Sequence, residues 1–507
     1  MTLRQVIHTF LIMKEVFNFT NELNPETFSR TGGDGIRKGR WLFGLIWLMV
    51  MTVLISLSGC RQEEVAEPFE PTTSHEAYRD GLIQMDLADT EMGRRWISTA
   101  EQVFTRTPEV TLPHREVLFF DPSEPDARGF LFFAERGRSI RIGIEFHDGS
   151  EPRFFADLFR VKVPKSASGQ NPPEGEVFSR DSDDFSPLQY ISEEQVASYS
   201  REERVLVFEP RRDNHYILRF QPELLRGGMF TLSIIEEPVL AFPVEGRGVG
   251  DIQSFFGDPR DGGRRMHEGV DIFAARGTNV LAVTDGVVRR VGTRDLGGNI
   301  VLLWDEKRRL NYYYAHLDVQ YVTSGQRVTA GEPLGEVGNT GNAVTTPPHL
   351  HFGVYEPRFR AVDPWNFLKP AEGKPQEVVA ADAAPGDYIR TAEDINRSGL
   401  PETISSGTVL RLVGMDSRIL RVREPGSSDL IELEPGEAEM LDEPIGIFSI
   451  ANDSAGGIEQ YLYSGPGRES GRIGMLNTAE GVNLLGYNGR YLYVETGNGG
   501  RGWVRGL

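Results

Sequence analysis

The sequence has 507 residues, a length that predicts three to four domains at about 150 residues each. Hydrophobic residues make up 39% and charged residues 25%, a composition that excludes both a multi-span membrane protein and a wholly disordered chain. Acidic residues outnumber basic ones by 74 to 54, and the net charge of −20 argues against nucleic acid as a partner, because sequence-independent binding needs a basic face.

An apolar segment near the N-terminus is typical of a secretory signal. Residues 41–57 carry no charge and follow a basic stretch that ends at Arg40. Residues 57–60, LSGC, end this stretch at Cys60 and resemble a bacterial lipoprotein lipobox, which implies cleavage before Cys60 and acylation of this cysteine. Residues 1–59 are therefore predicted to be a signal region. A segment of 17 uncharged residues could also just cross a bilayer, so an uncleaved anchor is the alternative.

Cys60 is the only cysteine in the chain. This count excludes an intramolecular disulfide and a cysteine-based zinc site. Any metal site must therefore use histidine, aspartate or glutamate side chains.

A tether and one helix are predicted for residues 60–105. Residues 61–78 are rich in Glu, Pro and Thr, which is typical of a linker. Farther on, Met92, Trp96, Ala100 and Val103 recur at spacings of three and four, which predicts a helix with one buried face.

A β-sandwich is predicted for residues 106–240. Apolar and polar residues alternate in several short runs, as in 139–146, and the turns between them are rich in Gly, Pro and Asp. A polar stretch at 163–188 predicts a long loop. The segment resembles the β-sandwich modules found beside secreted peptidases, which implies a spacer or a binding module.

Three short motifs between residues 245 and 370 carry side chains that can do chemistry. They are His267 and Asp271 in HEGVD, His316 in YYYAH, and His349 and His351 in HLHFGV. The last motif suits a strand, in which residues two apart share a face. Each motif is a weak signal alone, since an isolated histidine is more often a structural residue.

The three motifs together predict a zinc site. Two imidazoles and a carboxylate, from His267, His351 and Asp271, suit Zn²⁺ with a fourth position left for water. His316 and His349 then remain to take a proton from water or to stabilise a charged intermediate. The sequence has no His-Glu-x-x-His motif, so the site is not of the thermolysin type.

Residues from about 250 to 368 resemble the lysostaphin/LytM-type zinc peptidases of bacterial cell walls. The matching stretches are FGDPRDGGRRMHEGVDIFAARGTNVLAVTDGVV, YYYAHL, GEVGNTGNAVTTPPHLHFGVY and DPWNF. By position, the resemblance implies that His267, Asp271 and His351 are zinc ligands and that His316 and His349 form the catalytic pair. It also implies a largely antiparallel β-sheet with a groove over the metal.

A linker is predicted at 371–403 and two repeats at 404–507. The repeats are offset by 72 residues, so that Gly414 matches Gly486 and Leu420 matches Leu492. The second copy ends in Gly-Trp-Val at Trp503 and resembles a bacterial SH3-like barrel. The resemblance implies tandem barrels, whose aromatic side chains either pack the core or bind a peptide or glycan.

These features predict a mainly β protein that acts as a zinc-dependent endopeptidase on the peptide cross-links of peptidoglycan. Its expected partners are peptidoglycan peptides and a membrane of the cell envelope, on the periplasmic side or the outer surface. In a diderm host, the implied bond lies between D-Ala and diaminopimelate. The alternatives are a non-catalytic regulator that activates other cell-wall hydrolases and an enzyme with a target outside the wall.

Overall fold

The computed structural model describes residues 74–147, 153–161, 205–378, 383–397, 400, 402–427, 429–448, 461–467, 470–476 and 481–505. The predicted signal, Cys60, most of the tether and the loop at 163–188 lie outside the described residues. Within the part that is described, no helix combines the length and apolar character needed to cross a bilayer.

Two helices precede the first sheet: α1 (His75–Gln84) and α2 (Glu91–Gln102). Each begins with a hydroxyl cap, because Ser74 accepts a hydrogen bond from the N–H of Ala77 and Thr90 accepts one from Gly93. Helix α2 confirms the predicted helix, and its Trp96 is fully buried. Helix α1 begins inside the predicted linker 61–78, because its short apolar face gains stability only by packing against the sheet.

The next region forms the predicted sandwich of two antiparallel sheets. Strands β1, β7, β3 and β5 make one sheet, β2, β6 and β4 make the other, and their apolar side chains share one core. Burial alternates along β1 and β3 with the period of two read from the sequence, whereas β6 is buried on both faces from Tyr216 to Pro222. The strands are β1 (His114–Phe120), β2 (Arg128–Ala134), β3 (Arg138–Phe146), β4 (Phe154–Arg160), β5 (Val205–Phe208), β6 (Asn214–Pro222) and β7 (Gly228–Pro238).

A third sheet, with its own core, fills the middle of the chain. Its main path runs β16-β13-β14-β15-β18-β11-β8, with β12, β17 and β19 attached, and a short helix α3 (Trp365–Leu368) follows it. The strands of this sheet are β8 (Ile252–Ser254), β11 (Val270–Phe273), β12 (Asn279–Leu281), β13 (Gly286–Arg294), β14 (Gly298–Asp305), β15 (Leu310–Gln320), β16 (Arg327–Val328), β17 (Pro333–Val337), β18 (His349–Tyr355) and β19 (Ala361–Val362). Between β8 and β11, β9 (Pro259–Arg260) and β10 (Arg265–Met266) form a separate two-stranded hairpin.

The C-terminal strands divide between two sheets. Strands β20 to β24 extend the sandwich sheet, since β21 pairs with β1, and β25 to β30 form a separate six-stranded sheet. The strands are β20 (Tyr388–Thr391), β21 (Val409–Met415), β22 (Leu420–Arg423), β23 (Ile431–Leu433), β24 (Ala438–Met440), β25 (Gly446–Phe448), β26 (Tyr461–Tyr463), β27 (Arg472–Met475), β28 (Val482–Asn488), β29 (Tyr491–Glu495) and β30 (Arg501–Arg505). Strand β20 lies within the predicted linker 371–403.

The sequence repeat corresponds to a repeated bulged hairpin. In the first copy β21 pairs with β22, in the second β28 pairs with β29, and the paired positions are offset by 72 residues. The bulge also recurs, between 412 and 414 and between 484 and 486. Trp503 is fully buried against Tyr388 and Tyr493, so the aromatic residue of the Gly-Trp-Val motif belongs to the core.

The protein is mainly β, as predicted, and the ladders between its described strands are antiparallel. Neither C-terminal set of strands closes into a barrel within the described residues, which differs from the predicted tandem barrels. In the first copy, part of one edge of β21 pairs instead with β1, at Val117 and Leu118. The middle sheet is therefore inserted between two stretches of sequence that share one sheet.

Candidate metal centre and catalytic site

The register of the middle sheet places two of the predicted ligands face to face. Asp271 on β11 lies directly opposite His351 on the antiparallel strand β18. Ala315 on β15 flanks His351 from the other side, one residue before His316. Opposite residues of an antiparallel pair share one face of the sheet, so the carboxylate and the imidazole project together.

Three ligand atoms converge at this point. Nε2 of His267 lies 3.1 Å from Oδ1 of Asp271 and 2.9 Å from Nδ1 of His351, and that Nδ1 lies 3.0 Å from the same Oδ1. Ligand atoms around a tetrahedral zinc ion lie about 3.3–3.6 Å apart, given bond lengths of about 2.0–2.2 Å. The two nitrogens and one oxygen therefore fit zinc after only a slight separation. Among the described residues, no other group of histidine, cysteine and acidic side chains is arranged to hold a metal.

The first ligand is oriented by a backbone carbonyl. Nδ1 of His267 donates to the carbonyl oxygen of Phe255 at 2.9 Å, which leaves the unprotonated Nε2 to face Asp271 and His351. The ring is only 3% exposed. A histidine ligand held in one tautomer by such an outer hydrogen bond is pre-oriented for a metal.

Asp271 is held as a carboxylate. Burial acts to raise the pKa of Asp271, but its close contacts with the imidazoles of His267 and His351 outweigh burial and keep the pKa well below its usual range. Burial also lowers the pKa of His351, which favours the neutral imidazole that a metal requires. The protonation states therefore suit metal binding at neutral pH.

His316 occupies an irregular part of β15. The pairing register shifts on both sides of it, and its φ of 64° lies in the left-handed region, which a residue with a side chain adopts only when the surroundings demand it. Its backbone N–H donates to the carbonyl of Gly297 at 2.8 Å, and its Nδ1 donates to the carbonyl of Thr340 at 2.9 Å. Nε2 is thus the nitrogen left for a substrate.

The electrostatic environment of His316 favours its neutral form. Burial, together with the nearby rings of His351 and His349, lowers the pKa of His316 to about 4. At pH 7 the ring can therefore accept a proton.

His349 lies beside His316 and is anchored in the same way. Its Nδ1 donates to the carbonyl of Pro347 at 2.9 Å, and its ring stacks on Phe273 with a centroid distance of 5.0 Å. The centroids of His316 and His349 are 5.0 Å apart, and those of His316 and His351 are 6.0 Å apart. Both remaining histidines are thus positioned next to the ligand set.

All five predicted site residues meet in one cluster, whereas Cys60 lies outside the described residues. The sequence did not predict one contact of the cluster, in which Nη2 of Arg260 donates a hydrogen bond to Oδ2 of Asp271 at 2.8 Å. Arg260 lies among turn-forming residues, where no periodic pattern marks it. The carbonyls of Phe255 and Thr340 were missed too, because backbone acceptors have no signal in a sequence.

Comparison with known proteins finds a family model that matches the stretch of sequence around this cluster. Residues 265–364 match the model of Peptidase family M23. The L-Ala--D-Glu endopeptidase of Bacillus subtilis is 37% identical over 140 residues, which cover 25% of this chain and 43% of that protein. The Uncharacterized lipoprotein YgeR of Escherichia coli is 36% identical over 119 residues, which cover 23% of this chain and 43% of that protein.

Among solved structures, the catalytic domain of the antimicrobial peptidase lysostaphin from Staphylococcus simulans is similar to part of this chain. It has 36% sequence identity, covers 23% of this chain and 89% of that chain, and superposes with a TM-score of 0.21. The chain spans less than half the length of the two curated relatives named above. Residues 265–364, the range that matches the model of Peptidase family M23, include all five predicted metal-binding and catalytic residues.

Proposed function

We propose that this protein is a zinc-dependent endopeptidase that hydrolyses peptide cross-links of bacterial peptidoglycan. The observation that carries the proposal is the convergence of His267, Asp271 and His351 within 3.1 Å of one another, beside two further histidines. The relative from Bacillus subtilis is named as an endopeptidase that acts on an L-Ala–D-Glu bond, which supports a peptide substrate of this class.

The ligand atoms of His267, Asp271 and His351 would hold the zinc ion. A bound zinc ion supplies a Lewis acid that polarises a carbonyl and acidifies water. One of His316 and His349 accepts the proton of the attacking water through Nε2. The other, when protonated, donates a hydrogen bond to the carbonyl oxygen as negative charge develops there.

The domain organisation proposed here places the peptidase unit at 245–370, between the sandwich at 106–240 and the repeats at 404–507. The repeated bulged hairpin supports a duplicated origin for the C-terminal strands. Half-buried aromatic side chains remain on the second copy, at Tyr487 and Tyr491, where they could contact a wall peptide or glycan.

The cleavage experiment uses the full-length protein and purified cross-linked muropeptides. We expect dimers to disappear with zinc and to persist with a chelator. His349→Ala should slow cleavage by about 100-fold or more, the usual contribution of a positioned acid or base. His215→Ala is the matched control, because this half-buried histidine lies on β6 of the sandwich.

The cleavage products identify the substrate bond, and the activities of His349→Ala and of the wild type distinguish an enzyme from a regulator. Mass spectrometry of the released peptides identifies the bond that is cut. Full activity of His349→Ala would refute the catalytic pair. A wild-type protein that binds zinc but cuts nothing would refute the peptidase and favour a regulator of other wall hydrolases.

We also propose that a lipid on Cys60 anchors the protein to a membrane of the cell envelope. The basic flank, the uncharged segment and LSGC support this location, and the relative from Escherichia coli is named a lipoprotein. In cells, the wild type should sediment with membranes and Cys60→Ser should not carry a lipid. A lipid-free wild type that still sediments with membranes would instead support an uncleaved helical anchor.

A further inference from the structure

A single arginine contacts the carboxylate of the metal centre from outside. Arg260 ends strand β9, and its Nη2 donates to Oδ2 of Asp271 at 2.8 Å. The other oxygen, Oδ1, is the one that faces His267 and His351. The two oxygens of Asp271 are therefore divided between two partners of different kinds.

We propose that Arg260 is a positioning residue that restricts Asp271 to one coordinating oxygen, an inference that rests on the proposed zinc site. A free carboxylate can bind a metal through one oxygen or through both. With Oδ2 held in a charge-assisted hydrogen bond, only Oδ1 remains to coordinate. The position that Oδ2 would otherwise fill stays open for water or substrate, which a catalytic zinc site requires.

Arg260 is itself held in place by the strand next to Asp271. The same Nη2 also donates to Oγ of Ser254, which lies directly opposite Asp271 in the pairing of β8 with β11. Oγ of Ser254 in turn donates to Oδ2 of Asp258 at 2.9 Å. The guanidinium of Arg260 is thus held by Ser254, whose hydroxyl is in turn held by Asp258 in the turn that follows β8.

The same short segment orients a second ligand. Phe255 supplies the carbonyl that accepts from Nδ1 of His267, and the carbonyl of Asp258 accepts from the backbone N–H of His267 at 2.8 Å. Residues 254–260 therefore act as one outer layer for two of the three ligands. A change at Arg260 is expected to affect Asp271 without removing any ligand.

The strength of this contact is greater than that of an ordinary surface ion pair. The side chain of Arg260 is 30% exposed and that of Asp271 is 13% exposed, so water screens the pair only in part. Loss of an outer partner of a metal ligand typically weakens metal binding by about 10–100-fold. We expect Arg260→Gln to fall in this range.

The test measures metal binding by the full-length protein, independently of catalysis. Zinc affinity is measured by competition with a chromogenic chelator. The coordination number is read from the visible spectrum of the Co²⁺-loaded protein, because four-coordinate Co²⁺ absorbs more strongly than five-coordinate Co²⁺. For Arg260→Gln we expect about 10–100-fold weaker zinc binding and a less intense Co²⁺ spectrum, as Oδ2 becomes a second ligand.

Arg265→Gln is the matched control. Arg265 lies opposite Arg260 in the β9–β10 hairpin but pairs with Asp261 at 3.1 Å, away from the carboxylate of Asp271. Its zinc affinity and Co²⁺ spectrum should equal those of the wild type. Arg260→Lys, which keeps a cationic donor, should retain the four-coordinate spectrum and bind zinc more tightly than Arg260→Gln.

The outcomes separate this inference from the proposed function. Unchanged zinc affinity and an unchanged Co²⁺ spectrum in folded Arg260→Gln overturn the role of Arg260 and leave the zinc site intact. If that variant does not fold, a five-coordinate spectrum in Arg260→Lys overturns the inference and a four-coordinate one supports it. A folded wild type that binds neither metal overturns the zinc site itself, and the inference with it.

Discussion

The attachment of the C-terminal strands to the sandwich depends on a buried ion pair, and Glu116→Gln is expected to loosen it. Glu116 on β1 is fully buried, and Oε2 accepts hydrogen bonds from Arg421 on β22 and from His114, the latter at 3.1 Å. Burial acts to raise the pKa of Glu116, but the charge of Arg421 and the hydrogen bonds that the carboxylate accepts keep the pKa below its usual value. The carboxylate is therefore ionised at neutral pH and matched to Arg421.

The size of the effect follows from what the substitution leaves behind. Removing one partner of a buried pair costs about 3–5 kcal/mol, because the other charge stays buried without compensation. Arg421 still has Glu432 at 3.2 Å and Asp416 at 3.7 Å, so we expect the lower end of this range. Glutamine has nearly the same volume as glutamate, so no cavity adds to the cost. About 3 kcal/mol corresponds to about a 150-fold change in an opening equilibrium.

Hydrogen exchange of the full-length protein measures this opening. Backbone amides in 409–423 should exchange about 150-fold faster in Glu116→Gln if the hairpin detaches as a local unit. Arg115→Gln is the matched control on the same strand, because Arg115 pairs with Glu145 at 3.8 Å and the two side chains are 41% and 72% exposed. Such a pair contributes about 0–1 kcal/mol, so losing it should change the rate of exchange by less than about sixfold. Exchange in Glu116→Gln that stays within the range of this control would refute the reasoning.

Two further predictions concern the metal centre and the helical segment. A Cβ at Gly269 would lie 2.4 Å from a backbone oxygen and 2.8 Å from Cε1 of His351. Gly269→Ala should therefore displace His351 and weaken zinc binding by about tenfold or more in the chelator assay. Gly292→Ala is the control and should leave zinc binding unchanged, because a Cβ at Gly292 would have no heavy atom within 4 Å. Burial, and secondarily the charge of a nearby arginine, lowers the pKa of His75 to about 3. As the pH falls, the imidazole of His75 is therefore protonated in the unfolded chain before it is protonated in the folded protein. The free energy of unfolding should decrease as the pH drops from about 6.5 towards 3. In His75→Phe, the loss of unfolding free energy between pH 7 and pH 4.5 should be smaller by about 2–3 kcal/mol, as followed by the fluorescence of Trp96, which stacks on His75 at 4.5 Å. An equal loss in both proteins would contradict the assignment.

The candidate site could be predicted where residue type and spacing carry the chemistry. His349 and His351 alternate with buried apolar residues in one strand, so their common face followed from the period of a strand. The clustering of these residues with His267, Asp271 and His316 came from the resemblance of the motifs to a known family, and the structure brings all five together.

The rest of the site depends on groups that have no sequence pattern. The carbonyls that orient the histidines belong to the backbone, and any residue type offers the same acceptor. The left-handed conformation of His316 is also invisible in the sequence, because nothing about a histidine after Ala315 requires a positive φ. Both features involve residues of the loops between strands, namely Phe255, Gly297, Thr340 and Pro347.

The sequence by itself determined which segments become strands, because alternation along β1 or β3 is a local property of the chain. It also determined the repeat, whose two hairpins have the same register and the same bulge. Only the tertiary structure decided that β21 pairs with β1, across a separation of almost 300 residues, and that Arg260 holds the second oxygen of Asp271. Contacts of this kind form between segments that are distant along the chain or come from turns, and their partners are selected by burial and charge once the sheets have assembled.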